Sequence, residues 1–240
     1  MTMVELANDA HDHKGRFAPK GQGVSFQKLP DGWDAGGDGD DLGLLSSSVD
    51  PQVSAALDAE GEEWLAGSED GKRRGVLAWT QGSYTSIREH YAGTLPPEVA
   101  NDAGFREQYD RFTSDLAAAP DVDGVFYRGV HKGSSLHGYR KGWEARVGSS
   151  IDITAPSSTS TRATIGYQFA AKTLHDPVVF QIRGKGKWVG PAAEHRSEKE
   201  VIIPAGSYKV DSVHSAKIDM NNAIFDREPA RATIVRLVQQ

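Results

Sequence analysis

The chain has 240 residues, 38% of them hydrophobic and 25% charged, with no cysteine and a formal net charge of −6. This length supports one substantial domain that buries about 70–75% of its unfolded surface, and the absence of cysteine excludes disulfides and thiolate metal sites. Residues 1–50 carry four basic and nine acidic side chains, a net of −5, whereas residues 51–240 carry 23 and 24, a net of −1. So neutral a folded part argues against a general nucleic-acid-binding surface. No apolar run reaches 18 residues, so no membrane-spanning helix is expected, and MTMVELANDAHDHKGRF lacks the apolar centre of a secretory signal.

Residues 1 to about 48 read as a flexible lead. HDHKGRFAPKGQG and DGWDAGGDGDD are polar and rich in Gly and Asp, too poor in apolar surface to order themselves. A calcium loop starting at Asp38 would need an oxygen ligand at Leu42 and a bidentate Glu at Val49, and so fails. His11 and His13 read as a solvated pair. Asp50-Pro51 has the form of a helix start, followed by Val53, Leu57 and Trp64 at helical spacing up to Gly67. A second helix is expected in SYTSIREHYAG, with Tyr84, Ile87 and Tyr91 on one face. A third carries Phe105, Tyr109, Phe112 and Leu116 at i, i+4, i+7 and i+11 and stops at Pro120; its aromatic stripe reads as core.

After Pro120 the texture changes to short β-rich runs: GVFYRGV, PVVFQIRG, KEVIIP, SYKVDSV and ATIVRLV. Helices first and strands later predict an α+β fold. Gly184-Lys185-Gly186-Lys187 reads as a basic hairpin connection. No Gly-x-Ser-x-Gly elbow, His-Glu-x-x-His motif or phosphate-binding glycine loop is present.

Three polar insertions remain in apolar settings. Arg128 interrupts GVFYRGV, where a buried guanidinium needs an anion such as a phosphate; a snorkelling Arg or a structural ion pair is the other reading. Ser158-Thr159-Ser160 either holds a neighbouring carboxylate or caps a helix starting near Ala163. Glu198 and Glu200 stand two residues apart where polar HRSEK enters VIIP. On an extended chain they face the same way, about 7 Å apart, so either water screens them or a cationic ligand uses them.

Taken in this order, Arg128, Ser158-Thr159-Ser160 and Glu198-x-Glu200 resemble the arginine–serine–glutamate class of mono-ADP-ribosyltransferases, which includes clostridial-type toxins, vertebrate ecto-enzymes and phage-encoded transferases. The resemblance runs from about Tyr84 to the C-terminus. YTSIREHYAG and FREQYDRFTSDL look like the two helices ahead of the family's arginine strand, and SEKEVIIPAGSYKV resembles its glutamate strand. It implies the ADP-ribosyltransferase fold over residues 49–240: two small β-sheets packed at a steep angle around an NAD cleft, with flanking N-terminal helices.

The resemblance also implies the activity, transfer of ADP-ribose from NAD to arginine side chains of a target protein. Glu200 would face the oxocarbenium-like ribose as nicotinamide leaves, and Glu198 would orient and deprotonate the acceptor guanidinium. Arg128 would hold the pyrophosphate and Gly129 would let the backbone approach the nicotinamide amide. Ser158 would fix Glu200, with Thr159 and Ser160 shaping the pocket floor. Phe169 would pack on nicotinamide, and Arg162 or Lys172 would add a phosphate contact. NAD enters as substrate and no metal is implied. The expected partners are NAD and an arginine-bearing protein, with no nucleic acid or membrane, and the protein is expected to act as a monomer.

Two positions depart from the family pattern. Pro156 stands where an aromatic usually precedes the serine triplet. His195 stands where an aromatic often helps select the target. The alternatives are an NAD glycohydrolase using the same site and a phage structural protein with a silent transferase-like domain. A delivered effector, a virion-packaged protein and a cytoplasmic regulator all fit the absence of a signal or span.

Overall fold

The computed structural model describes residues 24–25, 51–68, 71–131, 146–171, 177–218 and 230–240. The expected flexible lead, with His11, His13 and the Gly/Asp-rich stretch, lies outside these residues apart from strand β1 (Val24–Ser25). Helix α1 (Pro51–Ala66) begins at the proline, as expected, and buries Leu57, Trp64 and Leu65. Helix α5 (Ala103–Ala118) follows the aromatic stripe: Phe105, Tyr109, Phe112 and Leu116 are all buried. The Asp102 carboxylate caps it by accepting the Phe105 N–H at 2.9 Å.

Between them lie three short helices, of which the sequence pattern marked only the second. Helix α2 (Arg74–Ala78) runs into a wide turn at Trp79–Ser83, where Gly82 takes φ 128°, and continues as α3 (Tyr84–Tyr91). In α3 the predicted stripe holds only in part, because Ile87 is fully buried but Tyr84 stays 40% exposed. A short α4 (Pro97–Ala100) follows. The N-terminus of α2 has no cap of its own. Asp115 of α5 supplies one, accepting the backbone N–H groups of Gly75 at 2.8 Å and Val76 at 3.4 Å.

The strands form one hydrogen-bonded network with a barrel-like core. Strand β2 (Asp121–His131) pairs antiparallel along its length with β5 (Pro177–Trp188). On its other edge β2 meets β4 (Ser157–Ser160), β4 pairs with β6 (Glu200–Ile203), and β6 returns to the end of β5, closing the circuit. From β5 the network extends through β8 (Ala230–Gln239) and β7 (Gly206–Ile218) to β3 (Ser150–Ile153). Helix α6 (Ala163–Ala171) crosses β2. The α+β class expected from the sequence is the one observed. Its core holds Phe126, Phe180, Ile182, Val201, Ile203 and Leu237, all fully buried.

The hairpin expected at Gly184–Lys187 is not formed. Both glycines lie inside β5, and the reason for them is crowding. A Cβ at Gly184 would meet Gln239 Oε1 at 2.5 Å, and one at Gly186 would meet Val201 Cγ1 at 2.5 Å. The glycines allow β5 to continue to Trp188, where β6 joins it and the barrel closes.

Gly75 sets the crossing of α2 and α5, since a Cβ there would meet backbone atoms of Arg111 and Phe112 at 2.4 Å. Backbone on both sides leaves no side chain to yield, so Gly75→Ala is expected to cost about 3 kcal/mol. For a domain of this size that lowers the melting temperature by roughly 6–12 °C. Differential scanning calorimetry reads it, and an unchanged midpoint would show the crossing is looser than described.

Candidate active site

Register brings the predicted residues together. Tyr127 of β2 faces Ser160 of β4, and Ser160 faces Glu200 of β6, so three strands align these positions side by side. Ser158 lies two residues along β4 from Ser160, on the same side, within diagonal reach of the long Glu200 side chain. The two form a side-chain hydrogen bond. Thr159 points the other way, and its hydroxyl donates to the Val201 carbonyl at 2.7 Å. Arg128 reaches in from β2, with Nη1 donating to the Ser158 carbonyl. Its Nε is buried and makes no hydrogen bond among the described residues. A guanidinium held by one hand and orphaned at the other is suited to an anion such as a pyrophosphate.

Glu200 is 7% exposed. Burial, the largest cause, pushes its carboxyl up from the usual 4.5 to about 7. The negative charge of Glu198 acts in the same direction, while hydrogen bonds from Ser158 and Trp79 and the Arg128 cation oppose both. The site therefore holds a buried carboxyl whose titration is shifted toward neutral pH, in the field of the Arg128 cation, where β2, β4 and β6 run side by side.

Trp79 was not singled out from the sequence. Its indole N–H donates to Ser158 Oγ at 2.9 Å and also faces the Glu200 carboxylate. The ring stacks on Phe112 with centroids 4.5 Å apart and meets Tyr84 edge-on at 6.2 Å. The signal available was a tryptophan in the apolar LAWT just ahead of the predicted second helix; a buried indole needs a partner for its N–H. Nothing in the spacing named that partner.

The two glutamates do not share one face of an extended strand. Glu198 ends a 3₁₀ turn, Arg196–Glu198, and Lys199 adopts a left-handed conformation with φ 50° before Glu200 opens β6. HRSEK contains no β-branched residue to extend it, and the turn is stitched instead to β4. Ser160 Oγ donates to the Glu198 carbonyl at 2.5 Å and accepts the Arg162 N–H at 2.9 Å. Of the two readings of the serine triplet, Ser158 meets the carboxylate, whereas Ser160 bonds the Arg162 N–H ahead of α6 and not an amide of the helix itself.

The remaining predicted residues are placed as follows. Gly129 is required by packing, since a Cβ there would meet the Gly166 carbonyl oxygen at 2.0 Å and the Ala170 nitrogen at 2.4 Å, where α6 crosses β2. Phe169 lies beside it on α6, with its side chain 42% exposed. Arg162 Nη1 donates to the Ser197 carbonyl at 3.1 Å, which ties it to the turn. Lys172 lies outside the described residues. Pro156 is buried, and His195 is exposed at the start of the turn. Among the described residues no group of three or more His, Cys, Asp or Glu forms a metal site, and no helix is long and apolar enough to cross a membrane.

Between pH 4.5 and 7 the folded protein retains a proton on Glu200 that the unfolded chain has lost. The contribution of this group to stability is therefore complete below 4.5 and is lost as pH rises through 7. Glu200→Gln keeps the shape and removes the ionisation. It is expected to be more stable than the wild type by about 2–3 kcal/mol at pH 8 and equal to it near pH 4, read by urea unfolding at the two pH values. Equal stability at both would mean that the carboxyl ionises as easily folded as unfolded.

No family model and no curated protein matches the sequence. Solved structures do match. The ADP-ribosyltransferase Vis of Vibrio splendidus, in its complex with agmatine, is 17% identical, with a TM-score of 0.51 over 80% of this chain and 86% of that one. Plx2a, an ADP-ribosyltransferase toxin from Paenibacillus larvae, is 14% identical, with a TM-score of 0.51 over 78% and 94%. The ADP-ribosyltransferase HopU1 of Pseudomonas syringae is 15% identical, with a TM-score of 0.51 over 77% and 82%. The chain has the fold of these ADP-ribosyltransferases.

Proposed function

We propose that this protein is a toxin-like mono-ADP-ribosyltransferase that moves ADP-ribose from NAD to an arginine side chain of a protein target. The observation that carries the reading is the buried Glu200 carboxyl, bonded to Ser158, under the indole of Trp79 and in the field of Arg128. The fold shared with ADP-ribosyltransferases supports it, and so does Vis having been solved with agmatine, an arginine mimic. The catalytic unit runs from about residue 49 to 240.

Arg128, with its orphaned Nε, takes the NAD pyrophosphate. The bond between the ribose C1′ and the nicotinamide nitrogen breaks, its electron pair leaving with neutral nicotinamide, and the ribose becomes cationic. Ionised Glu200 faces that charge, in a site where water is largely excluded and the field is correspondingly strong. An acceptor guanidine nitrogen then attacks C1′ and loses its proton to Glu198. The exposed Phe169, near the end of α6, packs on nicotinamide. Hydrolysis shares the first half of this sequence, with water in place of the guanidine attacking C1′ and releasing a proton, so slow NAD hydrolysis accompanies transfer.

With NAD and agmatine, the wild type is expected to release nicotinamide and form ADP-ribosyl-agmatine, resolved by liquid chromatography. Glu200→Gln is expected to lose both by about 10²–10³-fold. Glu198→Gln should lose the adduct by about 10²-fold or more while hydrolysis survives. Nicotinamide without any adduct from the wild type would make the protein a glycohydrolase; neither product would refute the enzyme reading.

Because the ionised form of Glu200 is required, hydrolysis should rise with pH through about 7. Trp79→Phe keeps the stacking but removes a donor that favours the carboxylate. It is expected to slow hydrolysis about tenfold at pH 7 and to move the acid limb of the pH profile to higher pH. A slowed enzyme with an unmoved limb would leave Trp79 only a packing function.

A further inference from the structure

The turn carrying Glu198 is gripped from two sides. On one side, β4 and the start of α6 hold its backbone, through Ser160 on the Glu198 carbonyl, Arg162 on the Ser197 carbonyl and the Thr161 N–H on the Lys199 carbonyl at 3.2 Å. On the other side, α1 holds its side chains. Lys199 Nζ sits 2.9 and 2.8 Å from the two carboxylate oxygens of Asp58, and Arg196 Nη1 sits 3.0 Å from Glu62 Oε1. Asp58 and Glu62 are one helical turn apart and so lie on one face of α1. On the same helix, Gly61 lets α1 lie against the 190–192 turn, since a Cβ there would meet Pro191 Cγ at 2.6 Å and Trp188 Nε1 at 2.8 Å.

Lys199 is the feature that needs explaining. It is the one non-glycine residue with positive φ among those described, in a position where glycine or asparagine is the usual occupant. A lysine there supplies a long cation that reaches back to Asp58 and lies 5.8 Å from the Trp188 ring centroid. The left-handed residue separating Glu198 from Glu200 is thereby fastened to α1. The helix is itself anchored, with Leu57, Trp64 and Leu65 at 1%, 8% and 8% exposure. Glu200, by contrast, is held by Ser158 and Trp79, neither of which touches the Asp58 or Glu62 pairs.

We propose that α1 is a positioning element for acceptor chemistry: Asp58 and Glu62 hold the Glu198 turn in the orientation that transfer requires, and they leave nicotinamide release untouched. The proposal rests on the reading of Glu198 as the acceptor-facing carboxylate. Strand β4 supports both glutamates, whereas the α1 ion pairs are made by the Glu198 turn and not by Glu200, so that loosening α1 turns a transferase toward hydrolysis.

The test is the double variant Asp58→Asn/Glu62→Gln, which removes two charges at constant shape. Arg196–Glu62 is exposed and Lys199–Asp58 half-buried, and ion pairs open to solvent contribute little to global stability, so the melting temperature of the double variant should stay close to the wild-type value. With NAD and agmatine, adduct formation is expected to fall about tenfold while nicotinamide release without agmatine stays within about twofold, and Asp58→Glu with Glu62 intact should restore the adduct. Amide exchange over residues 196–199 should accelerate, with residues 201–203 unchanged. Adduct and nicotinamide falling in parallel, an unchanged adduct, or unchanged exchange in the turn would each overturn the proposal. A wild type that makes no adduct would instead defeat the transferase reading, and with it this extension.

Discussion

A carboxylate taken out of water needs partners, and the rest of this site follows from how Glu200 finds them. The three residues after it, Val201, Ile202 and Ile203, are fully buried, so β6 cannot turn Glu200 outward without surrendering the core. Its partners come from distant parts of the chain: a hydroxyl from β4, an indole from the turn after α2, and a guanidinium field from β2. None of the three is a full counter-ion pair, and the carboxyl accordingly sits near 7 and not at 4.5. Under the proposed function a salt-bridged glutamate would be less useful, because a fixed partner would neutralise the charge that a cationic transition state must see.

The architecture can be understood as what it takes to bring those partners together. Barrel closure through β2, β4, β6 and β5 sets Tyr127, Ser160 and Glu200 side by side, and closure needs β5 to run on through two glycines to Trp188. Helix α6 comes close enough to flank the site only because Gly129 and Gly166 let it lie against β2. Asp115 caps α2 from the neighbouring helix, which delivers Trp79 onto Ser158 and onto the Phe112 ring.

Much of this was legible in the sequence where the period of the pattern matched the element. The stripe Phe105, Tyr109, Phe112, Leu116 marks α5 because a 3.6-residue repeat of aromatics has few other uses, and the β-branched runs mark the long strands. Arg128, Ser158-Thr159-Ser160 and Glu198-x-Glu200 are generic one at a time, and they single out the candidate site only as an ordered set that resembles the mono-ADP-ribosyltransferases. What failed was local conformation decided by tertiary contact. Gly184-Lys185-Gly186-Lys187 has hairpin composition, yet its glycines answer to Gln239 and Val201 across the sheet. Glu198 and Glu200 have strand spacing, yet Lys199 turns left-handed with Asp58 of α1 as its partner. Trp79 was overlooked because RGVLAWTQGS is too short to show a period, and its hydrogen-bond partner is 79 residues away.

The central claim is that Arg128, Ser158, Trp79 and Glu200 form an NAD site, and its most direct test separates binding from turnover. Glu200→Gln should still present Arg128 and the cleft to the substrate while consuming almost none of it, so NAD can be titrated into this variant by calorimetry. The account predicts saturable binding of one NAD per chain at or below about millimolar concentration, lost when Arg128 is also replaced by alanine. Absence of saturable binding in a folded Glu200→Gln protein, or binding indifferent to Arg128, would contradict it.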